Sequence, residues 1–462
     1  MLWAYTQERV IMFKKILVAN RGEVALRVMR SAREMGIKTV AVYSQADINS
    51  RHVEEADEAI CIGPAPSNQS YLVIQNIIQA ALQTGAEAIH PGYGFLAENA
   101  EFAQACTDNG LKFIGPSPDA INKMGNKSIA RETATAAGVP VVPGSPGAIE
   151  TVDEARDFAD KVGYPVLVKA SAGGGGKGMR IASGSDDLQK QWDAARTEAL
   201  AAFGDDTVYL EKYLLRPRHI EIQILVDQQG NGVYLYERDC SVQRRHQKLI
   251  EEAPSVALTP ERRKEMGEAA LQLAASVDYE GAGTVECLFD QDGSFYFMEM
   301  NTRIQVEHCV TEMIVDRDIV AEQISIAYGN PLSFSQDEVS IRGHAIEFRI
   351  NAEDPRKNFQ PSPGRVTRFA VPGGYGVRVD TYLEAGKDIP PFYDSLVAKL
   401  LVWGETREEA IARGKRALKE FHVEGIATTI DFHYAALDKP VFETGEVYTD
   451  FLEKEMGDWD VE

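Results

Sequence analysis

Two apolar runs, Thr284 to Asp290 and Phe295 to Met298, flank Gln291-Asp292-Gly293-Ser294. An Asp-Gly pair between alternating strands is a hairpin signal. With Asp292-Gly293 as a two-residue turn, Glu286 lies directly opposite Glu299. Both then point to one face, and Val285, Cys287, Met298 and Met300 point to the other. A hairpin with this register leaves the chain few choices, because slipping it by one residue exchanges the two faces.

Cross-strand partners have Cβ atoms roughly 5 Å apart, so two carboxylates there repel by about 3 kcal/mol at an effective dielectric of about 20. A positive group between them is expected, and Mg²⁺ takes carboxylates together with phosphate oxygens in this way. Asn301, two residues on, shares the face. Taken alone, two such glutamates are more often a solvent-facing pair. The residues that follow, Asn301, Arg303, Gln305 and Glu307, decide for a site.

The net charge of −22 over 462 residues repels nucleic acid and anionic membranes, so any phosphate site must be built locally. No apolar run reaches the ~20 residues of a membrane span, and the start lacks the pattern of a signal peptide. A cytoplasmic protein without nucleic-acid or membrane partners is expected. Five cysteines (Cys61, Cys106, Cys240, Cys287, Cys309) without a Cys-x-x-Cys fit neither a disulfide framework nor a zinc site. Met1 to Ile11 precedes the first strand and reads as a disordered extension or an upstream start.

From Lys14 the chain reads strand, amphipathic helix, strand, with more strands near Ala59, Ala88 and Lys112, which describes a doubly wound parallel sheet. Asp119 to Ala137 reads as one helix. A Gly/Pro linker then leads to a strand ending at Lys169, followed by Gly173 to Gly178 with Lys177. That run precedes a strand and not a helix, so neither the dinucleotide fingerprint nor the P-loop applies. It reads as a hairpin flap whose bare N–H groups close over phosphates. Val208 to Leu214 leads out of this unit, with Glu211 and Leu214 available to an adenine. His219 to Ile224 alternates as a strand. Arg238 to Glu252 is a basic cluster, read as an anion clamp. In His344 to Asn351, Ile346, Phe348 and Ile350 face one way and Glu347, Arg349 and Asn351 the other; an arginine in such a place is usually at the surface. Thr406 to Glu409 is a capping box opening a helix.

These residues together resemble the biotin carboxylases, a branch of the ATP-grasp superfamily. The carriers are Val18-Ala19-Asn20-Arg21-Gly22-Glu23, His90-Pro91-Gly92-Tyr93-Gly94, Lys169 with its glycine run, Arg244 to Lys248 with Glu251 to Pro254, and Glu299 to His308. The resemblance implies an α/β ATP-grasp fold with an N-terminal Rossmann-like domain over 12–125. An ATP-grasp domain follows over 126–341, with a mobile lid near 142–214 and a central antiparallel sheet, and then an α+β C-terminal domain over 342–462. It implies ATP held by Lys127, Lys169, Gly175, Gly176, Glu211, Lys212, Tyr213, Leu214, His219, Gln243, His246, Glu286 and Glu299. Mg²⁺, or Mn²⁺ in its place, falls to Glu286, Glu299 and Asn301, as the hairpin register suggests independently. Bicarbonate falls to Lys248, Arg303, Gln305 and the backbone of Val306, with Glu307 as its general base, and biotin to Arg349.

The implied activity is ATP-dependent carboxylation of biotin, the first half-reaction of a multi-subunit carboxylase such as the acetyl-CoA carboxylase of fatty acid synthesis. No Met-Lys-Met biotinylation site occurs, so the implied assembly is a homodimer served by a separate biotin carboxyl carrier protein and a carboxyltransferase subunit. Two other readings stand beside it: another ATP-grasp ligase, of the carbamoyl-phosphate or purine-pathway kind, and a non-catalytic ATP-binding assembly subunit. Neither accounts for Lys248, Arg303, Glu307 and Arg349 together. The family usually continues after the histidine with Pro-Val-Thr-Glu and then Thr-Gly; here Cys309 replaces the proline and Val315-Asp316-Arg317 stands in place of the Thr-Gly segment. Cys309 reads as a packing residue.

Overall fold

A computed structural model describes residues 12–145, 147–170, 179–203 and 205–457. The extension Met1 to Ile11 and the flap residues Gly175, Gly176 and Lys177 lie outside the described residues. Two compact units are formed. The larger takes the described residues up to Val139, Arg218–Cys287 and those from Glu299 on; the smaller takes 140–217 and Leu288–Met298. No helix among the described residues is long and apolar enough to cross a membrane.

The larger unit opens with the expected parallel sheet. Lys15–Val18 is central, flanked by Lys38–Ser44 and Ala88–His90, with Glu58–Gly63 and Lys112–Phe113 outside. All four pairings are parallel. Parallel strands need covered faces and apolar runs, and Ile16, Leu17 and Val18 are fully buried. The helix expected over Asp119 to Ala137 is two, Pro118–Gly125 and Lys127–Ala136. Asn126 breaks it, because its side chain accepts from the backbone N–H groups of Ser128 and Ile129 and so caps a new helix start.

The central sheet has eight strands in the order Phe295–Asn301, Gly281–Phe289, Arg218–Val226, Gly232–Arg244, Gln247–Ala253, His344–Asn351, Leu396–Gly404, Val377–Thr381. Ile346, Phe348 and Ile350 pack with Leu400, Val402 and the helix Arg407–Glu420 on one side, as the alternation required. The opposite face is covered as well, by the helix His308–Val315. Its polar side chains are therefore buried, Glu221, Glu251, Glu347 and Lys399 each with 0% exposure.

In the smaller unit Val166–Ala170 lies between Met179–Ala182 and Val208–Lys212 in an antiparallel sheet. The helices Val152–Val162 and Ser185–Phe203 bury Ala155, Ala159, Leu188 and Trp192 against it.

The hairpin turn is one residue longer than the Asp-Gly signal suggests. Asp290 N–H donates to Ser294 O at 2.8 Å and Gly293 N–H to Asp290 O at 3.0 Å, enclosing Gln291, Asp292 and Gly293. Gly293 takes φ +84°, as a three-residue loop with a left-handed third residue requires. Counted from Asp290 and Ser294 alone, Glu286 would oppose Met298 and not Glu299. Asn301 Nδ2 nevertheless donates to Glu286 Oε1 at 2.7 Å, so the expected sharing of one face by these two residues holds.

Candidate active site

The site of the larger unit is built on the covered polar face of the central sheet. Strand Arg218–Val226 supplies His219 and Glu221, Gln247–Ala253 supplies Lys248 and Glu251, Gly281–Phe289 supplies Glu286 and His344–Asn351 supplies Arg349. Lys248 and Glu251 are three apart, an odd spacing that a regular strand would split between two faces. Register shifts between the Asp239/Glu252, Val242/Ile250 and Gln243/Lys248 pairs bring both to one side. A bulge of this kind re-aims side chains beside functional sites.

Lys248 Nζ lies 2.6 Å from Glu307 Oε1, 2.5 Å from Glu221 Oε2 and 3.0 Å from Glu286 Oε1. Arg349 spans Glu251 Oε1 through Nε at 2.5 Å and Glu307 Oε2 through Nη2 at 2.9 Å. Burial disfavours charge on Glu307, but Lys248, Arg349 and Arg238 together hold its carboxyl well below the usual range. Burial likewise opposes the Lys248 ammonium, and Glu221 and Glu307 hold it well above the usual lysine value. Glu286 also lies 2.7 Å from His219 Nε2 and accepts from Gln305 Nε2 at 2.5 Å. Glu307, Lys248, Arg349, Gln305, Glu286 and His219 are thus one connected network.

The remaining expected residues fall around or away from it. Arg303 turns to Glu98 Oε2 at 2.8 Å and to Asn301 Oδ1 at 2.9 Å. Val306 accepts from Lys399 Nζ through its carbonyl at 2.9 Å. Lys127 opens its helix, exposed, and its charge bears on Glu299. Gln243 pairs with Lys248 across the strands, and His246 shares with Arg245 a tight turn at φ +66° and +49°. In the smaller unit Lys169 Nζ is 2.9 Å from Glu211 Oε2 and 5.2 Å from the Tyr209 ring centre. Lys212 ends the same strand, Tyr213 N–H donates to Pro165 O at 3.0 Å, and Leu214 is buried.

The donor set suits a hard divalent cation. Glu286, Glu299 and Asn301 offer oxygen ligands, as Mg²⁺ prefers. Burial and the nearby Glu286 push the Glu299 carboxyl up, which marks a carboxylate short of positive charge.

Beside Arg349 opens a cavity of about 330 Å³, lined among others by Arg21, Glu23, Tyr93, Arg303, Val306 and Tyr382. Arg21 is tied to Asp47 by two hydrogen bonds of 2.7 Å, and Tyr93 OH donates to Glu23. The two N-terminal motifs therefore line the same cavity as Arg349, which their separation in sequence hides.

Arg238 to Glu252 is not a single clamp. Arg244 turns to Asn358 and packs over Phe359, while Glu252 pairs with His344 and Arg407 on the other side of the sheet. Arg349 is not a surface residue; its side chain is 14% exposed. Glu221, Glu347 and Lys399 are the site residues that local patterning misses, while Arg238 and Glu251 lie within the stretch read as a clamp. Charged residues alternating along a strand look solvated until the covering helix is known.

Known proteins match along most of the chain. Residues 12–121 match the biotin carboxylase N-terminal domain, 126–335 the ATP-binding domain of the carbamoyl-phosphate synthase L chain, and 347–454 the biotin carboxylase C-terminal domain. Biotin carboxylase 1 of Bacillus subtilis is 56% identical over 443 residues, covering 96% of this chain and 98% of its own. A pyruvate carboxylase subunit of Methanothermobacter thermautotrophicus is 55% identical over 444 residues, covering 96% and 90%. Among solved structures, the biotin carboxylase domain dimer of Hydrogenobacter thermophilus 2-oxoglutarate carboxylase, in complex with MgADP, ADP and bicarbonate, superposes with a TM-score of 0.85. It is 49% identical and covers 98% of this chain and all of that one. The chain belongs to the biotin carboxylase family of ATP-grasp enzymes.

Proposed function

We propose that this protein carboxylates biotin in a reaction driven by ATP and bicarbonate, the first half-reaction of a biotin-dependent carboxylase. The observation that carries the reading is Glu307, a buried carboxylate bridged by Lys248 at 2.6 Å and Arg349 at 2.9 Å beside a cavity. A carboxylate between two cations, with donors Gln305 and Arg303 nearby, suits an anionic substrate that must also lose a proton.

Bicarbonate is a weak nucleophile until deprotonated, and Lys248, Arg303, Gln305 and the Val306 backbone orient it towards the γ-phosphate of ATP. Glu307 is held ionised by Lys248, which also binds the anion, and by Arg349 and Arg238. When Lys248 turns from Glu307 to the substrate, the carboxylate's proton affinity rises and it takes the bicarbonate proton. Attack on the γ-phosphorus breaks its bond to the departing ADP. The resulting carboxyphosphate yields CO₂ and phosphate; the phosphate removes the ureido proton of biotin, Arg349 stabilises the enolate-like oxygen, and the ureido nitrogen adds to the CO₂. Glu286, Glu299 and Asn301 would hold Mg²⁺, which would supply charge neutralisation on the phosphates. Lys127, His219, Gln243 and His246 of the larger unit, and Lys169, Glu211, Lys212, Tyr213 and Leu214 of the smaller, bind the nucleotide in this reading.

The biotin belongs to a carrier protein in the cytoplasm, with a carboxyltransferase subunit downstream and a second copy of this chain as partner. Similar chains are described as parts of pyruvate and 2-oxoglutarate carboxylases, so overall similarity does not single out acetyl-CoA as the acceptor. The experiment is ADP release measured with and without bicarbonate and free biotin. Stimulation by both is expected; ATP cleavage indifferent to both additions overturns the reading.

A further inference from the structure

Arg238 is assigned no substrate, yet among the described residues it is the largest charged side chain buried completely, with 0% exposure. Its five N–H groups meet five acceptors. Nε donates to Glu221 Oε1, Nη1 to Gln223 Oε1 at 2.8 Å and Thr311 Oγ1 at 2.9 Å, and Nη2 to Thr284 Oγ1 at 3.2 Å and Gln305 Oε1 at 2.9 Å. These acceptors come from two strands, the loop after Asn301 and the helix His308–Val315. No lysine could satisfy them, having three hydrogens in place of five.

The bond to Gln305 has a consequence for the substrate. A guanidinium only donates, so the side facing Arg238 must be the amide oxygen. The amide nitrogen is thereby turned the other way, where one hydrogen goes to Glu286 Oε1 at 2.5 Å. Glu221 extends the effect, since its other oxygen holds Lys248 Nζ at 2.5 Å.

We propose that Arg238 is a positioning residue for the anion site: by occupying the Gln305 carbonyl it makes this amide an obligate donor towards the substrate, and through Glu221 it sets the place of Lys248. This rests on the assignment of bicarbonate to Gln305 and Lys248. Apart from Glu307, which takes the proton, the side chains around the substrate are then donors, so the site suits an anion rich in lone pairs.

The test is a cycle of Arg238→Lys, Gln305→Ala and the double variant, with Gln305→Glu beside it, measuring KM for bicarbonate, KM for ATP and kcat. Arg238→Lys keeps a positive charge beside Glu221 but frees the amide. Its bicarbonate KM is expected to rise about tenfold or more, the worth of a charge-assisted hydrogen bond, with ATP KM within about twofold. In the Gln305→Ala background the same change is expected to add less than about twofold, because the group it positions is gone. Equal factors in both backgrounds, or an unchanged bicarbonate KM, overturn the proposal. Gln305→Glu keeps the bond to Arg238 and puts acceptors where donors stood, with an expected rise of about a hundredfold. A near-normal bicarbonate KM in Gln305→Glu overturns it even where Arg238→Lys fails to fold. Unmodified enzyme whose ATP cleavage ignores bicarbonate instead removes the functional reading beneath it, an outcome the variants do not produce.

Discussion

Glu251 and Glu347 face each other across adjacent strands, both with 0% exposure, and among the described residues neither oxygen of Glu347 has a hydrogen-bond partner. Two carboxylates so placed do not both ionise at neutral pH. Burial pushes Glu347 well above the usual range, Lys399 opposing and Glu251 adding to it, and burial with Glu307 brings Glu251 up to about 7 against the pull of Arg349.

Burial therefore favours the protonated form of Glu347 in the folded protein. The unfolded chain loses that proton above its ordinary value near 4.5, so this group's contribution to stability declines as pH rises from there towards the raised folded value. Glu347→Gln mimics the neutral acid and carries no such penalty. Its thermal midpoint should match the parent's near pH 5 and exceed it at pH 8 to 9; a variant less stable than its parent at alkaline pH would show that the carboxylate is ionised.

Glu307→Gln keeps the shape of the side chain and removes the base. Turnover should fall by about three orders of magnitude, within the range of a lost general base, while ATP binding, followed by nucleotide fluorescence, stays nearly unchanged. Retained turnover removes Glu307 from this role.

Glu252 lies on the other side of the sheet, where His344 Nε2 at 2.8 Å and Arg407 Nε at 2.7 Å hold it. Burial alone would raise its value, but His344 and Arg407 bring it down from 4.5 to about 2. The resulting stabilisation is complete above about pH 4.5 and is lost as pH falls towards 2, with a size of the order of 3 kcal/mol. Denaturation followed from pH 6 to 2 should show this loss in the parent. Glu252→Gln should be weaker at pH 7 and flatter over the same window; parallel curves would contradict the pairing.

Asp316 closes the helix His308–Val315 at φ +54°, its N–H on Glu312 O at 2.9 Å. A left-handed cap suits glycine, which stands in this segment of the resembling family, and aspartate tolerates it at a cost. Asp316→Gly should stabilise by about 0.5–1 kcal/mol, seen as a higher melting midpoint with unaltered kcat. A lower midpoint would mean that the aspartate side chain contributes more than the backbone strain removes.

Local pattern alone determined a good deal of this protein. Apolar runs separated by helix-length segments determined the parallel N-terminal sheet, the alternation of Ile346, Phe348 and Ile350 determined the strand beneath Arg349, and Thr406 determined the start of its helix. The stretch Glu299 to His308 marked the site through its residue types, and resemblance supplied the roles. Three things were decided only in the folded molecule. The Gly293 turn takes one residue more than Asp-Gly implies, because a left-handed third position closes it as well as a two-residue turn does. Register shifts put Lys248 and Glu251 on one side in defiance of their spacing. The helix His308–Val315 covers the polar face and buries Glu221, Glu347 and Lys399, which alternation alone would leave solvated, in one network with Arg238, Lys248 and Glu251. Alternation reports which side chains share a face, a property of neighbouring residues; whether that face meets water depends on elements far away in the chain.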